Sequence, residues 1–146
     1  MTAAPAEGRV LGVDLGTRRI GVAVSDSGQR LATGLVVVPR SGDTGVDHRA
    51  LARLAEEESA VAIVVGLPRS LDGSLGPAAR AALEEVEALQ RSVAVPIETY
   101  DERFTTVTAG HALRAGGTRS RARRQVVDQV AAAVLLQAWL DRRQGQ

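Results

Sequence analysis

Arg9-Val10-Leu11-Gly12-Val13-Asp14-Leu15-Gly16-Thr17-Arg18-Arg19-Ile20-Gly21-Val22-Ala23-Val24-Ser25-Asp26 decides how this 146-residue chain folds. Two apolar runs flank a Gly-Thr-Arg-Arg turn, the pattern of a β-hairpin or of two adjacent strands joined by a tight loop. Within the first run a single carboxylate, Asp14, interrupts residues that otherwise favour burial. A buried charge is costly unless it is paired or holds a metal. Glycines on either side remove side-chain bulk, so a large ligand could approach the backbone. On this stretch alone, Asp14 reads equally well as a surface acid closing a strand end.

The length suits one domain with a sizeable core. Hydrophobic residues make up 45% of the chain and aromatics 2%, so that core must be built from Val, Leu, Ile and Ala. The absence of cysteine excludes a disulfide scaffold, a thiolate metal site and a disulfide-linked dimer. Met1 to Gly8 contain Ala and Pro without an apolar run and read as a disordered tail, residues 9–141 as the domain, and 142–146 as a frayed end. No signal peptide or membrane span is read, so a cytoplasmic protein is expected, with no membrane partner, as a monomer or weak homodimer.

Net charge is only +1, but its distribution is uneven. Every formal cation is Arg; Arg103, Arg114, Arg119, Arg121, Arg123 and Arg124 fall in a segment without acids, while Glu clusters at 56–58 and 84–87. That basic segment is a candidate phosphate-binding surface, since Arg grips phosphate with two parallel donors. The same run can also be a solvated loop.

Beyond the hairpin, Leu31 to Val38 reads as a third strand stopped by Pro39, and Val46 to Ser59 as a helix with apolar residues at 46, 51, 54 and 55. Ala60 to Val65 is a short apolar run suited to a strand buried on both faces. Gly66 to Gly76 is a loop, Pro77 opens a helix reaching about Arg91, and Val95 to Tyr100 is a strand. Phe104 to Ala115 reads as a helix ended by Gly116-Gly117, and a last helix runs from about Gln125 to Asp141. Antiparallel opening strands followed by β-α alternation predict an α/β fold. Its expected centre is a mixed five-stranded sheet, three antiparallel strands then parallel ones, flanked by helices.

Three carboxylates are placed where strand ends or a helix face could aim them at one sheet edge: Asp14, Glu102 and Asp128. Such a cluster repels itself unless cations intervene. Mg²⁺ or Mn²⁺ takes oxygen ligands and needs few carboxylates. Two such ions about 4 Å apart can activate water and stabilise a leaving oxygen in phosphodiester hydrolysis. In this scheme Asp14 is shared between the ions and Glu102 and Asp128 each complete one side. Asp141 is a weaker candidate, about 20 Å beyond Asp128 along the same helix. Asp26 and Asp101 could support the ligands from outside but read rather as solvated turn acids; His48 and His111 lack ligand-like spacing and read as surface or partly buried residues.

Four segments together carry a resemblance. They are Val13 to Ala23; Val65-Gly66-Leu67-Pro68 with Asp72-Gly73-Ser74; Asp101-Glu102-Arg103-Phe104-Thr105-Thr106; and Val127 to Ala132 with Leu135-Leu136-Gln137. In this order and spacing they resemble the YqgF/RuvX family, described as pre-16S rRNA nucleases or Holliday-junction-resolvase-like proteins, from Val10 to Leu140. The resemblance implies an RNase H-like fold and divalent-metal-dependent cleavage of nucleic acid, either precursor 16S rRNA or branched DNA. It places the family's acidic residues on Asp14, Glu102 and Asp128. Beside these motifs, Arg69, Ser70, Thr17 and Thr105 are assigned to substrate or structural support, and the charge pattern offers Arg69, Arg103, Arg119, Arg121, Arg123 and Arg124 as phosphate contacts. The family often carries Lys and Gly before the last acid, where this chain has Arg119-Ser120-Arg121-Ala122-Arg123-Arg124; the charge is retained.

Two other readings compete. Asp14-Leu15-Gly16-Thr17 also resembles the phosphate loop of sugar kinases and actin-like ATPases, but those need two such domains around the nucleotide and one domain fits here. A non-catalytic nucleic-acid-binding module would keep the fold, yet gains nothing from acids clustered against phosphate.

Overall fold

A computed structural model describes residues 4–68, 74–102 and 121–145, with the backbone alone for 121–125. Its strands are β1 (Val10–Leu15), β2 (Arg19–Ser25), β3 (Ala32–Pro39), β4 (Ala62–Leu67) and β5 (Ile97–Asp101). The helices are α1 (Thr44–Glu57), α2 (Pro77–Gln90) and α3 (Arg121–Gln144). The strands form one sheet in the order β3-β2-β1-β4-β5, antiparallel across β3-β2-β1 and parallel across β1-β4-β5. This is the mixed five-stranded arrangement expected from the sequence. The expected helix Phe104–Ala115 lies outside the described residues.

Alternation along each strand sorts side chains between two layers. Leu11, Val13, Ile20, Val22, Ile63 and Val65 join Leu51, Ala55 and Leu89 in a core on the α1/α2 side. Val10, Ala23, Ala62 and Val64 join Ala132, Leu136, Trp139 and Leu140 in a core on the α3 side. β4 is buried at every position, which explains its unbroken apolar sequence.

α3 lies close on the sheet where the strands beneath it carry glycine. A Cβ placed on Gly12 would lie 2.7 Å from Leu136 Cβ, and one on Gly34 would lie 3.0 Å from Gln129 Cβ. Gly12 and Gly34 both pair with Ala23, so a row of small residues crosses three strands below the helix.

Several boundaries differ from the sequence reading. Pro39 is inside β3, paired with Arg19, which is possible because β3 is an edge strand and a missing N–H can face outward. α3 begins at Arg121, inside the expected Arg-rich loop, as suits Arg's good helix propensity. It also continues to Gln144, past the expected end, and its last residues are held: Arg143 donates to the carbonyls of Ala4 and Pro5, and Gln144 to that of Gln29. Ala4 to Gly8, within the segment read as a tail, are joined to the domain by these bonds and by those from Gln29 to the Pro5 and Gly8 carbonyls. In α1, Val46 is exposed while Asp47 and His48 are buried, the reverse of the apolar pattern. Ser41 and Arg40, just after β3, pair with Asp47, and Glu85 of α2 pairs with His48, which makes that burial tolerable.

Candidate functional site

Asp14 belongs to the α3 face of β1, in line with Val10 and Gly12. Its antiparallel partner is Gly21. On the other side, β1 and β4 pair Val13 with Val65, which brings Gly66 beside Asp14. Both flanking positions lack side chains, and each is covered by a segment carrying another acid. A Cβ on Gly21 would lie 2.3 Å from the Asp128 carbonyl oxygen. One on Gly66 would lie 2.8 Å from Glu102 Oε1. The glycines make room for the two other carboxylate-bearing residues on either side of Asp14.

The backbone explains how each arrives. Asp128 is one turn before Ala132 on the buried stripe of α3 that continues through Leu135, Leu136 and Trp139. Packing of that stripe therefore carries Asp128 to the sheet, where it is 9% exposed. Glu102 follows the last residue of β5, two places after Tyr100, which pairs with Gly66.

Two clefts meet at Asp14. One, of about 230 Å³, is lined by Asp14, Gly16, Thr17, Arg18, Arg19 and Asp128. The other, of about 360 Å³, includes Asp14, Thr17, Arg40, Gly66, Glu85 and Glu102 in its lining. Asp14, Gly16 and Thr17 are common to both, whereas Asp128 opens only on the first and Glu102 only on the second. Among the described residues no three His, Cys, Asp or Glu side chains cluster tightly enough to hold one ion. Asp128 and Glu102 each share a cleft with Asp14 but not with each other. A larger cavity of about 430 Å³ lies between β5 and the end of α3, against Tyr100, Trp139 and Arg142, and contains none of the three acids.

Charge around the clefts is compensated by residues the sequence did not single out. Arg19 Nε donates to Asp128 Oδ2 at 2.5 Å. Arg40 donates through both terminal nitrogens to Glu85, at 2.6 and 2.9 Å, and through Nε to the Gly16 carbonyl at 2.9 Å. His48 Nε2 lies 2.9 Å from the same Glu85. Burial pushes the Glu85 carboxyl up, but hydrogen bonds from Arg40 and His48, with their charges, outweigh it and hold the carboxyl below the ordinary carboxylate range. The Glu85 hydrogen bond in turn raises Arg40 against the effect of burial. This network ties α1 and α2 to the Gly16 turn beside Asp14. His48 is therefore a buried polar link, and no spacing in the sequence distinguishes it or Arg40.

Of the expected site residues, Asp14, Glu102, Asp128 and Thr17 line the two clefts. Arg121, Arg123 and Arg124 occupy the start of α3, four to seven residues before Asp128. Arg69, Ser70, Arg103, Thr105 and Arg119 lie outside the described residues. Asp26 accepts from the Arg30 and Leu31 amides at a turn.

The profile of the RuvX family, described as "Holliday junction resolvase", matches residues 8–142. This chain belongs to the RuvX family. Among its relatives, a protein of Mycobacterium sp. (strain KMS) is 47% identical over 140 residues, covering 95% of this chain and 83% of the relative. One of Rhodococcus opacus (strain B4) is 48% identical over 143 residues, covering 95% and 80%. Both bear the name "Putative pre-16S rRNA nuclease". RuvC of T. thermophilus, solved in complex with a Holliday junction substrate, superimposes with a TM-score of 0.60 at 19% identity, covering 95% of this chain and 97% of RuvC. At that identity the likeness speaks to the fold, and the RuvX chain shares its RNase H-like architecture. Among the described residues, no helix is long and apolar enough to cross a membrane.

Proposed function

We propose that this RuvX chain is a divalent-metal-dependent nuclease that hydrolyses phosphodiester bonds in precursor 16S rRNA. The observation that carries the reading is the position of Asp14 between two clefts, one reaching Asp128 and the other Glu102. An all-carboxylate donor set is the chemistry of hard ions such as Mg²⁺ or Mn²⁺. Its pairwise distribution about Asp14 fits two ions better than one ion held by all three acids. Asp14 would serve both ions, with Glu102 and Asp128 each holding one side. Bound there, such ions would activate water and neutralise charge on the leaving oxygen.

The chain's own groups supply positioning. Thr17 and Arg18 rim the cleft that holds Asp128. Arg121, Arg123 and Arg124 are about 6–10 Å along the helix axis from Asp128 by helical rise. They would bind backbone phosphates, which positions a strand without reading its sequence. The names of the relatives favour an rRNA precursor, and the family description favours branched DNA as the second reading.

The test incubates labelled precursor rRNA and a four-way DNA junction with wild type and Asp14→Asn, each in Mn²⁺ and in EDTA. The expected result is cleavage of the rRNA by wild type in Mn²⁺, none in EDTA, and none by Asp14→Asn with its melting temperature preserved. Cleavage by Asp14→Asn at the wild-type rate overturns the mechanism. Selective cleavage of the junction transfers the activity to branched DNA. Binding that persists in EDTA without cleavage of either substrate makes the protein a non-catalytic binding module.

A further inference from the structure

Asp128 does not face its cleft alone. Arg19, the first residue of β2, shares the α3 face of that strand with Gly21, and its Nε is 2.5 Å from Asp128 Oδ2. The two side chains are 29% and 13% exposed, so the pair is partly withdrawn from water, and the same cleft contains Asp14. A carboxylate oxygen that accepts a charge-assisted hydrogen bond has less electron density to offer an ion, and two cations at one oxygen repel. An ion that takes Asp128 Oδ2 in the cleft shared with Asp14 must compete with the guanidinium for that oxygen.

From this geometry we infer that Arg19 is a positioning residue that competes with the divalent cation for Asp128 and so sets the ion concentration at which that side of the site fills. The inference rests on the nuclease reading above, because it takes Asp128 as an ion ligand. It differs in sign from a purely structural role. If Arg19 only held the Asp128 carboxylate in the orientation an ion needs, its removal would weaken ion binding. As a competitor, its removal strengthens it.

Calorimetric titration of Mn²⁺ into the protein without nucleic acid separates these outcomes, using wild type, Arg19→Gln, Arg19→Lys and Asp14→Asn. Loss of a charge-assisted hydrogen bond of ordinary strength predicts Mn²⁺ binding about ten- to a hundredfold tighter in Arg19→Gln. Arg19→Lys should fall between wild type and Arg19→Gln, because an ammonium neutralises the carboxylate as a point charge without the planar fork. If Arg19→Gln melts too low to titrate, Arg19→Lys alone carries the comparison and must still bind more tightly than wild type. Unchanged or weaker Mn²⁺ binding in the Arg19 variants, with binding lost in Asp14→Asn, overturns the competition and leaves the nuclease reading standing. Wild-type Mn²⁺ binding by Asp14→Asn overturns the nuclease reading itself.

Discussion

Gly21→Ala tests whether a missing side chain is what brings Asp128 to Asp14. The added methyl carbon would lie 2.3 Å from the Asp128 carbonyl oxygen and 3.0 Å from its carbonyl carbon. Ordinary contact begins at 3.4 Å, so the two surfaces must separate by about 1 Å. Both obstructing atoms are backbone, and no rotamer change relieves them. The start of α3 must therefore lift from β2. Overpacking of this kind costs about 1–3 kcal/mol, which in a domain of this size lowers Tm by about 3–9 °C. A displacement of 1 Å in a catalytic group can cost about 100-fold in rate. Asp128 moves with the helix, so Mn²⁺-dependent cleavage should fall by about that factor, well beyond what the stability loss explains at 25 °C. The assay pairs thermal melting by circular dichroism with cleavage of labelled precursor rRNA at a temperature where both proteins remain folded. A Gly21→Ala protein that melts within 1 °C of wild type (about the error of the measurement) and cleaves at the wild-type rate would refute the argument.

Other perturbations separate the two sides of the site. Gly66→Ala meets the far end of Glu102 and a methyl of Leu135 at 3.0 Å; because side chains can yield, stability should fall by only about 1 kcal/mol while Mn²⁺ affinity measured by calorimetry drops. Glu85→Gln leaves Arg40 and His48 facing a neutral amide, and removing one partner from a buried ionic network should cost about 3 kcal/mol near neutral pH, read by urea unfolding. The Glu85 carboxyl titrates lower in the folded chain than in the unfolded one, so its contribution is present above the ordinary carboxyl range and is lost as pH falls through the lowered folded value. The difference between wild type and Glu85→Gln should accordingly shrink below about pH 4; a gap that stays constant to pH 3 (about a unit below the ordinary carboxyl value) would contradict the assigned pairing. Arg40→Met should loosen the Gly16 turn by losing the 2.9 Å bond to its carbonyl, and hydrogen exchange should quicken at Gly16 and Thr17 more than at Leu11, which is buried in the sheet.

Much of this architecture follows from one-dimensional regularities. Alternation in Val10–Asp14 and Arg19–Ser25, the unbroken apolar run of β4 and the proline at the start of α2 are consequences of local geometry. They yielded the mixed sheet and the approximate elements. Asp14 also stood out locally, as a charge inside an apolar strand. Boundaries were less legible: Pro39 could enter β3 because, among the described residues, no strand lies beyond it, and the bonds between Ala4, Pro5, Gln29, Arg143 and Gln144 join segments far apart in the chain.

Taken alone, the sequence determined which residue types were available for ion chemistry and the order of strands that could present them. The tertiary structure decided their arrangement: Gly21 and Gly66 flank Asp14, Asp128 shares one cleft with it, and Glu102 shares the other. It also decided that Arg19 engages Asp128 and that Arg40, His48 and Glu85 brace the adjoining turn. Arg19 and Asp128 are 109 residues apart, and Arg40 and Glu85 are 45 apart. Hydrophobic periodicity records which side of an element is buried, but pairing between distant polar groups leaves no period in a sequence; it exists only once packing has brought their elements together.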